Sequence, residues 1–283
     1  MKKVFIIGSK GMAGHVIYNY FKENTKFELV DIARGTEFHK PSYQMDVTNF
    51  QELKKILDIE KPDVVINCIG ILNKDAEEHP DKAILLNSYL PHFLAQTGTQ
   101  VGFKLIHIST DCVFNGKKGG YTEISEKDGI GFYAQSKALG EVSYGRHLTL
   151  RTSIIGPELK DNGIGLFHWF MNQEGTIKGY SRAYWTGVTT LELSKALVES
   201  IKQDISGLHH LVNESKIDKF ELTNLFKDVF KKNLIEIEPY DGYVVDKSLI
   251  RTNTEFDYRV PTYPVMIKEM KGWIDNHLNL YDY

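Results

Sequence analysis

Short apolar runs punctuate the first half of the chain at intervals that leave room for a helix between them. Val4 to Ile7 is the first, with no polar alternation, and predicts a strand buried on both faces. A helical pattern follows through Phe21. Phe27 to Val30 predicts a second strand closed by Asp31, and Asp63 to Cys68 a third. Between them Thr48-x-x-Gln51 reads as a capping box that opens a helix. Residues 75–97 have helical spacing broken by Pro80 and Pro91. Lys104 to Ser109 and Leu148 to Ser153 are further strands. This alternation of strand and helix predicts an α/β fold built on a doubly wound parallel sheet.

After Pro157 the pattern loosens, and residues 158–188 are rich in glycine and aromatic residues. Thr189 to Ile201 predicts an amphipathic helix, Gly207 to Val212 a strand, Lys219 to Phe230 a helix, Leu234 to Ile237 a short strand and Met266 to His277 a closing helix. The expected division is residues 1–157 as a dinucleotide-binding domain and 158–283 as mainly a smaller substrate-binding lobe. Elements around 185–213 return to the sheet. The lobe is expected over the sheet's carboxyl edge, where ligands bind in open α/β folds.

The first strand runs into Gly8-Ser9-Lys10-Gly11-Met12-Ala13-Gly14 and then a helix. Glycines there permit a tight turn and let backbone N–H groups approach a pyrophosphate at the helix N-terminus. The spacing differs by one residue from Gly-x-Gly-x-x-Gly. Gly8, Ser9, Lys10, Gly11, Met12 and Gly14 are the expected diphosphate contacts. Asp31 is placed to take the adenosine ribose hydroxyls. Asp46 and Val47 join the same rim, and Cys68, Ile69 and Gly70 offer small or apolar neighbours to the diphosphate. Asp31 alone repels a 2′-phosphate, whereas Lys10 and Arg34 attract one, so NADP(H) is expected to be modestly preferred and NAD(H) also to bind.

The stretch from Lys104 to Glu141 carries the candidate chemistry. A strand ends in Ser109-Thr110-Asp111, and Tyr133 and Lys137 follow in a helical segment. Residues i and i+4 share a helix face, so phenol and ammonium point into one cleft. A nearby ammonium is expected to lower the phenol's pKa from ~10 and give a usable proton donor. The pattern by itself is weak. With 15 tyrosines the chain contains three Tyr-x-x-x-Lys pairs, the others being Tyr18/Lys22 and Tyr243/Lys247. Only Tyr133/Lys137 has a strand, a hydroxyl at its end and a helix in the right order.

Net charge of −3 gives no bulk attraction to nucleic acid or an anionic membrane, and the lysines of the C-terminal third interleave with acids. No apolar run approaches the ~18 residues needed to span a bilayer. The start of the chain mimics a short signal peptide, but its apolar run ends in the glycine loop. Two cysteines, Cys68 and Cys112, are too few for a disulfide framework, which suits a reducing cytoplasm. His209 and His210 fit a strand, and no third ligand suggests a metal site.

Taken together, GSKGMAG, LVDIAR, NCIG, HISTDCVFNG, YAQSKALGE, LRTSIIG and GVTT resemble the extended short-chain dehydrogenase/reductases, and within them the dTDP-4-dehydrorhamnose reductase branch. The resemblance implies a Rossmann-like fold, nicotinamide chemistry on a nucleotide-diphosphate sugar, a homodimer, and Thr110, Tyr133 and Lys137 as the catalytic set. It also implies substrate contacts from Asp111 and Cys112. Lys247 and Arg251 are candidates for the sugar diphosphate, and Trp185, with Tyr184, for stacking on the base. Cys112 stands where the branch usually has an aromatic residue and where the similar 4,6-dehydratases carry an acid. It matches the cysteine offset of GDP-fucose synthase, an epimerase-reductase, with His168 as its possible partner. The other reading of Cys112 is a small buried hydrophobe. A non-catalytic, nucleotide-binding subunit of the same fold is the alternative from another class.

Overall fold

A computed structural model describes residues 1–283. In the first half, β1 (Lys3–Ile7), α1 (Met12–Asn24), β2 (Glu28–Ala33), β3 (Tyr43–Gln44), α2 (Phe50–Glu60) and β4 (Val64–Asn67) come first. The short α3 (Asn73–Glu78) and α4 (Pro80–Ala83) follow. A π-helical stretch, Ile84–Tyr89, leads into α5 (Leu90–Val101), then β5 (Lys104–Thr110), α6 (Phe132–Leu139) and β6 (Leu148–Thr152). The second half holds β7 (Ile154–Ile155), α7 (Leu166–Met171), β8 (Gly175–Tyr180), β9 (Ala183–Trp185), β10 (Val188–Thr189), α8 (Thr190–Gln203), β11 (Gly207–His210), β12 (Ile217–Asp218), α9 (Lys219–Phe230), β13 (Ile235–Tyr240), β14 (Val245–Asp246) and α10 (Tyr263–Asp275).

Seven strands form one sheet in the order β11-β6-β5-β4-β1-β2-β3, and every pairing is parallel. The order reverses between β1 and β4, the position where ligands bind in such sheets. The apolar runs have no wet face because both sheet faces are covered. Val4, Ile6, Val64 and Ile66 belong to a core of 39 buried residues that includes α1, α8 and α10. Phe5, Ile7, Val65 and Leu105 belong to a second core of 15 against α2 and α5. Residue 157 falls in the loop after β7, and the larger core has members on both sides of it, from Val4 to Tyr281. β11 lies in the sheet beside β6. No helix is long and apolar enough to cross a membrane.

Three local expectations are corrected. The cap of α2 is Asn49, whose side chain accepts the Glu52 N–H, while Thr48 bonds instead to Asp46. Pro80 does interrupt the helix, but Pro91 does not: the helix runs on from the π-helical stretch Ile84–Tyr89 into α5 with Pro91 inside it. Asp31 lies within β2 rather than at its end.

Candidate active site

The glycine turn between β1 and α1 uses its glycines in two ways. Gly8 has φ 87°, and a Cβ on it would lie 2.8 Å from Cγ1 of Ile69; one on Gly14 would lie 2.0 Å from the Gly8 carbonyl oxygen. Both are therefore required by packing. Gly11 is the N-cap of α1, exposed, with no atom nearer than 3.5 Å to the missing Cβ. No side chain caps α1 and its first turn carries no acid. Its unsatisfied N–H groups and positive dipole end suit a diphosphate. Met12, Cys68 and Ile69 are half-buried around this cradle and Gly70 is exposed. Burial pushes the Cys68 thiol up to about 12, so it stays neutral. Lys10 reaches past the loop to donate to the Gly35 carbonyl at 2.8 Å, and exposed Arg34 lies 4.0 Å from Asp46. Two cations thus flank the end of β2, while Val47 is buried in the second core.

Asp31 does not fit the ribose role. It is fully buried, and its oxygens already accept from Ser9 Oγ at 2.5 Å, His39 Nε2 at 2.8 Å, and Ser42 N and Oγ at 2.8 and 3.0 Å. Burial opposes the charge, but these bonds outweigh it and hold the carboxyl below its usual range. Ser9 is withdrawn with it, its hydroxyl spent on Asp31. The pair ties the glycine turn to β2 instead of offering polar atoms to a ligand.

Thr110 ends β5, and its Oγ1 accepts the Cys112 N–H at 3.1 Å and donates to Asp111 at 3.2 Å. Tyr133 is the second residue of α6, its backbone N–H donating to Glu77 Oε1 at 3.2 Å. The Thr110 hydroxyl is near enough to its phenol to pull the phenol's pKa down. One turn deeper, buried Lys137 points Nζ at the Ile108 carbonyl, 2.7 Å away, and at His107 Nε2, 3.3 Å away. The expected pairing of ammonium with phenol is therefore corrected. Burial first, then Cys112, pushes the Tyr133 phenol well above its usual value, with Thr110 easing it down and Lys137 taking no part. Burial brings Lys137 down to about 8.

Tyr133 opens onto a cavity of about 340 Å³ with Cys112, Lys247, Asn73, Glu77 and Asn115 on its walls. Burial pushes the Cys112 thiol up to about 11, so it faces Lys247 as a neutral group. Burial also raises the buried Asp111 carboxyl, against the pull of Lys247. Lys247 reaches this wall because the strap after β14 pairs with the loop after β5: Tyr121 donates to the Ser248 carbonyl at 2.9 Å, Ile250 to the Tyr121 carbonyl at 2.8 Å, and Asp246 to the Gly116 carbonyl at 2.7 Å.

Other expected substrate contacts lie elsewhere. Trp185 is a core residue packed on Tyr263, with no face for a base, and Tyr184 lies under Lys216. Arg251 lines a separate cavity of about 190 Å³ and donates to the carbonyls of Phe256 and Tyr258. His168 does not partner Cys112; its Nδ1 meets Tyr283 Oη at 2.7 Å and its Nε2 the Asp161 carbonyl at 3.0 Å. Of the decoy pairs, Tyr18 stacks on His39 and Tyr243 meets Tyr180 edge to face. Sequence reasoning missed His107, hidden among strand residues, and Glu77 and Asn73, which no local pattern connects to Tyr133.

The sequence profile of the RmlD substrate binding domain family matches residues 1–251. Methionine adenosyltransferase 2 subunit beta of Xenopus tropicalis is 25% identical over 253 residues, which span 84% of this chain and 75% of the relative. The probable low-salt glycan biosynthesis reductase Agl14 of Haloferax volcanii is 27% identical over 269 residues, 87% of this chain and 83% of the relative. Among solved structures, dTDP-4-dehydrorhamnose reductase from Bacillus anthracis in complex with NADP superposes with a TM-score of 0.81. It is 20% identical and covers 96% of this chain and 99% of its own.

Proposed function

Because this chain belongs to the RmlD substrate binding domain family, we propose that it is an NAD(P)H-dependent reductase of the C4 ketone in a 4-keto-6-deoxy nucleotide-diphosphate sugar, serving surface polysaccharide synthesis. The observation that carries the reading is convergence. Thr110 at the carboxyl end of β5 and Tyr133 at the wall of a 340 Å³ cavity are near each other, Lys137 lies one turn along the same helix, and the uncapped N-terminus of α1 is at the same edge of the parallel sheet.

The residues of the cradle fit a nicotinamide dinucleotide: Gly11 and the first turn of α1 for its diphosphate, Lys10 and Arg34 for a 2′-phosphate. When bound, its reduced nicotinamide supplies hydride to the ketone carbon. Tyr133 is protonated at neutral pH because burial raises its phenol, so the proton is in place as charge develops on the ketone oxygen. Thr110 Oγ1 gives that oxygen a second hydrogen bond. Lys137 orients the nicotinamide ribose, and Lys247 meets the sugar diphosphate at the far wall. Incubating the protein with NADPH and a panel of 4-keto nucleotide sugars, with NMR of the products, tests the reading. No turnover of any member, with NADPH bound, would defeat it.

A second reading is favoured by the relatives named as a subunit of methionine adenosyltransferase. On it, the chain binds nucleotide and a partner protein without turnover. The same panel separates the two, since a binding subunit saturates with NADPH and leaves every sugar unchanged.

A further inference from the structure

Behind Lys137 a line of buried polar groups crosses the ends of β4 and β5. Asn67 and His107 are 1% and 0% exposed. The Ile69 N–H donates to Asn67 Oδ1 at 3.1 Å, which leaves the amide NH2 facing His107 Nδ1 at 3.3 Å. Burial, then the charges of Lys137 and His92, hold His107 neutral, well below the usual imidazole range. A neutral imidazole that accepts at Nδ1 carries its proton at Nε2. That Nε2 is 3.3 Å from Lys137 Nζ. The Nε2–H finds an acceptor there only when Nζ is an amine. When Nζ is an ammonium, Nε2 must accept and the ring proton moves to Nδ1. Asn67 must then turn its oxygen toward the ring and let go of the Ile69 N–H.

We propose that His107 is a positioning residue that ties the proton on Lys137 to the Ile69 amide, so that an anionic dinucleotide settling on the Cys68–Gly70 loop draws one solvent proton onto Lys137. The inference rests on the reductase reading of this site. Ile69 belongs to the loop against which Gly8 packs, so a released Ile69 N–H is a free donor beside the cradle. Charging Lys137 frees that donor, and by linkage an anion that uses it favours the charged lysine. The other titratable groups near this line are Tyr133 in the first turn of α6, Glu141 just beyond its C-cap Gly140, and His92 on α5. Glu141 is held ionised by Arg151, so it favours the ammonium equally with and without ligand. With Lys137 near 8 before binding and higher afterwards, dinucleotide affinity is greatest below pH 8 and declines above it.

The test is calorimetric titration of NADPH at pH 8 in buffers of different ionisation enthalpy, which counts the protons taken up. Wild type is expected to take up about half a proton per site, since a group at its pKa is half charged beforehand. In Asn67→Ala, His107 turns freely and the ammonium is no longer penalised. One hydrogen bond of ~1 kcal/mol raises the lysine by roughly a unit, and uptake falls to about 0.1 proton. Asn67→Ser repeats the measurement with a smaller cavity should the alanine variant fold poorly. Adding Asn67→Ala to His107→Leu is expected to change nothing further, because the coupling runs through the ring. Equal uptake in wild type and the Asn67 variants, with NADPH still bound, overturns this inference alone; so does an Asn67 effect that persists without His107. A wild-type protein that binds no NADPH overturns both this inference and the reductase reading.

Discussion

A phenol raised by burial holds its proton at neutral pH and gives it up only to a strong base such as the oxyanion that hydride transfer creates, and this sets the expected result at Tyr133. Proton transfer from a placed side chain is worth ~10²–10⁴-fold. Tyr133→Phe should lower kcat by about 10²-fold or more and leave NADPH affinity nearly unchanged, as steady-state kinetics and fluorescence titration would show. Tyr18→Phe and Tyr243→Phe should keep wild-type turnover. At the other end of the cofactor, Arg34 is exposed with only Asp46 near it, so Arg34→Ala should weaken NADPH several-fold more than NADH; equal losses would remove it from the phosphate site. Cys112 is neutral and His168 is engaged with Tyr283, so solvent deuterium should not enter the sugar beside the ketone. Rapid incorporation abolished by Cys112→Ser would restore the epimerase-reductase reading. That Thr110 ends a strand and that Tyr133 and Lys137 share the next helix was legible in the sequence because strand end and helix face are local patterns. Their partners were not: His107 looks like any strand residue, and Glu77 reaches Tyr133 from 56 positions away. Trp185 and Arg251 misled because residue type says nothing of which way a side chain faces.

Among the elements, the parallel strands were legible because burial on both faces leaves uninterrupted apolar runs. The two- and three-residue strands β3, β7, β9, β10, β12 and β14 were not, since segments so short carry no period. The π-helical stretch was also invisible, and it has work to do at the site. It turns Asn87 and Ser88 onto α6, where Asn87 Nδ2 donates to Ser136 Oγ at 3.0 Å and Ser88 Oγ to the Ser136 carbonyl at 2.7 Å. Asn87 also brackets Ile71, accepting its N–H at 2.8 Å and donating to its carbonyl at 2.9 Å. One side chain thus holds the helix of Tyr133 and Lys137 to the loop after β4, a use of π-turns seen at functional sites. Asn87→Ala should cost about 1–3 kcal/mol in urea unfolding, the penalty for buried polar groups left unpaired. It should also lower turnover while the protein remains folded.

Across the whole molecule, the loop after β5 and the strap after β14 are joined along a seam between residues 116–123 and 246–252. Glu123 locks it, accepting from the Thr252 hydroxyl at 2.5 Å and N–H at 3.0 Å and from the His210 N–H at 3.2 Å. Burial alone would raise this carboxyl, but Thr252 and His210 bring it down to about 2. A depressed carboxyl contributes stability that is full above its unfolded value of ~4.3 and is lost as pH falls toward the folded one. Melting temperature should therefore drop between about pH 4.5 and 2, and Glu123→Gln should flatten that part of the profile; an unchanged slope would remove Glu123 from the seam's acid response. The seam is also what delivers Lys247 to a cavity whose other walls come from residues 73–134. A ribosome releases the glycine turn, the first strands and the Tyr133 helix long before it releases this strap. During synthesis the glycine turn is thus formed while the 340 Å³ cavity still lacks its Lys247 wall. On the reductase reading proposed above, a nascent chain gains its nucleotide contacts first and its sugar contacts only when its last quarter has docked.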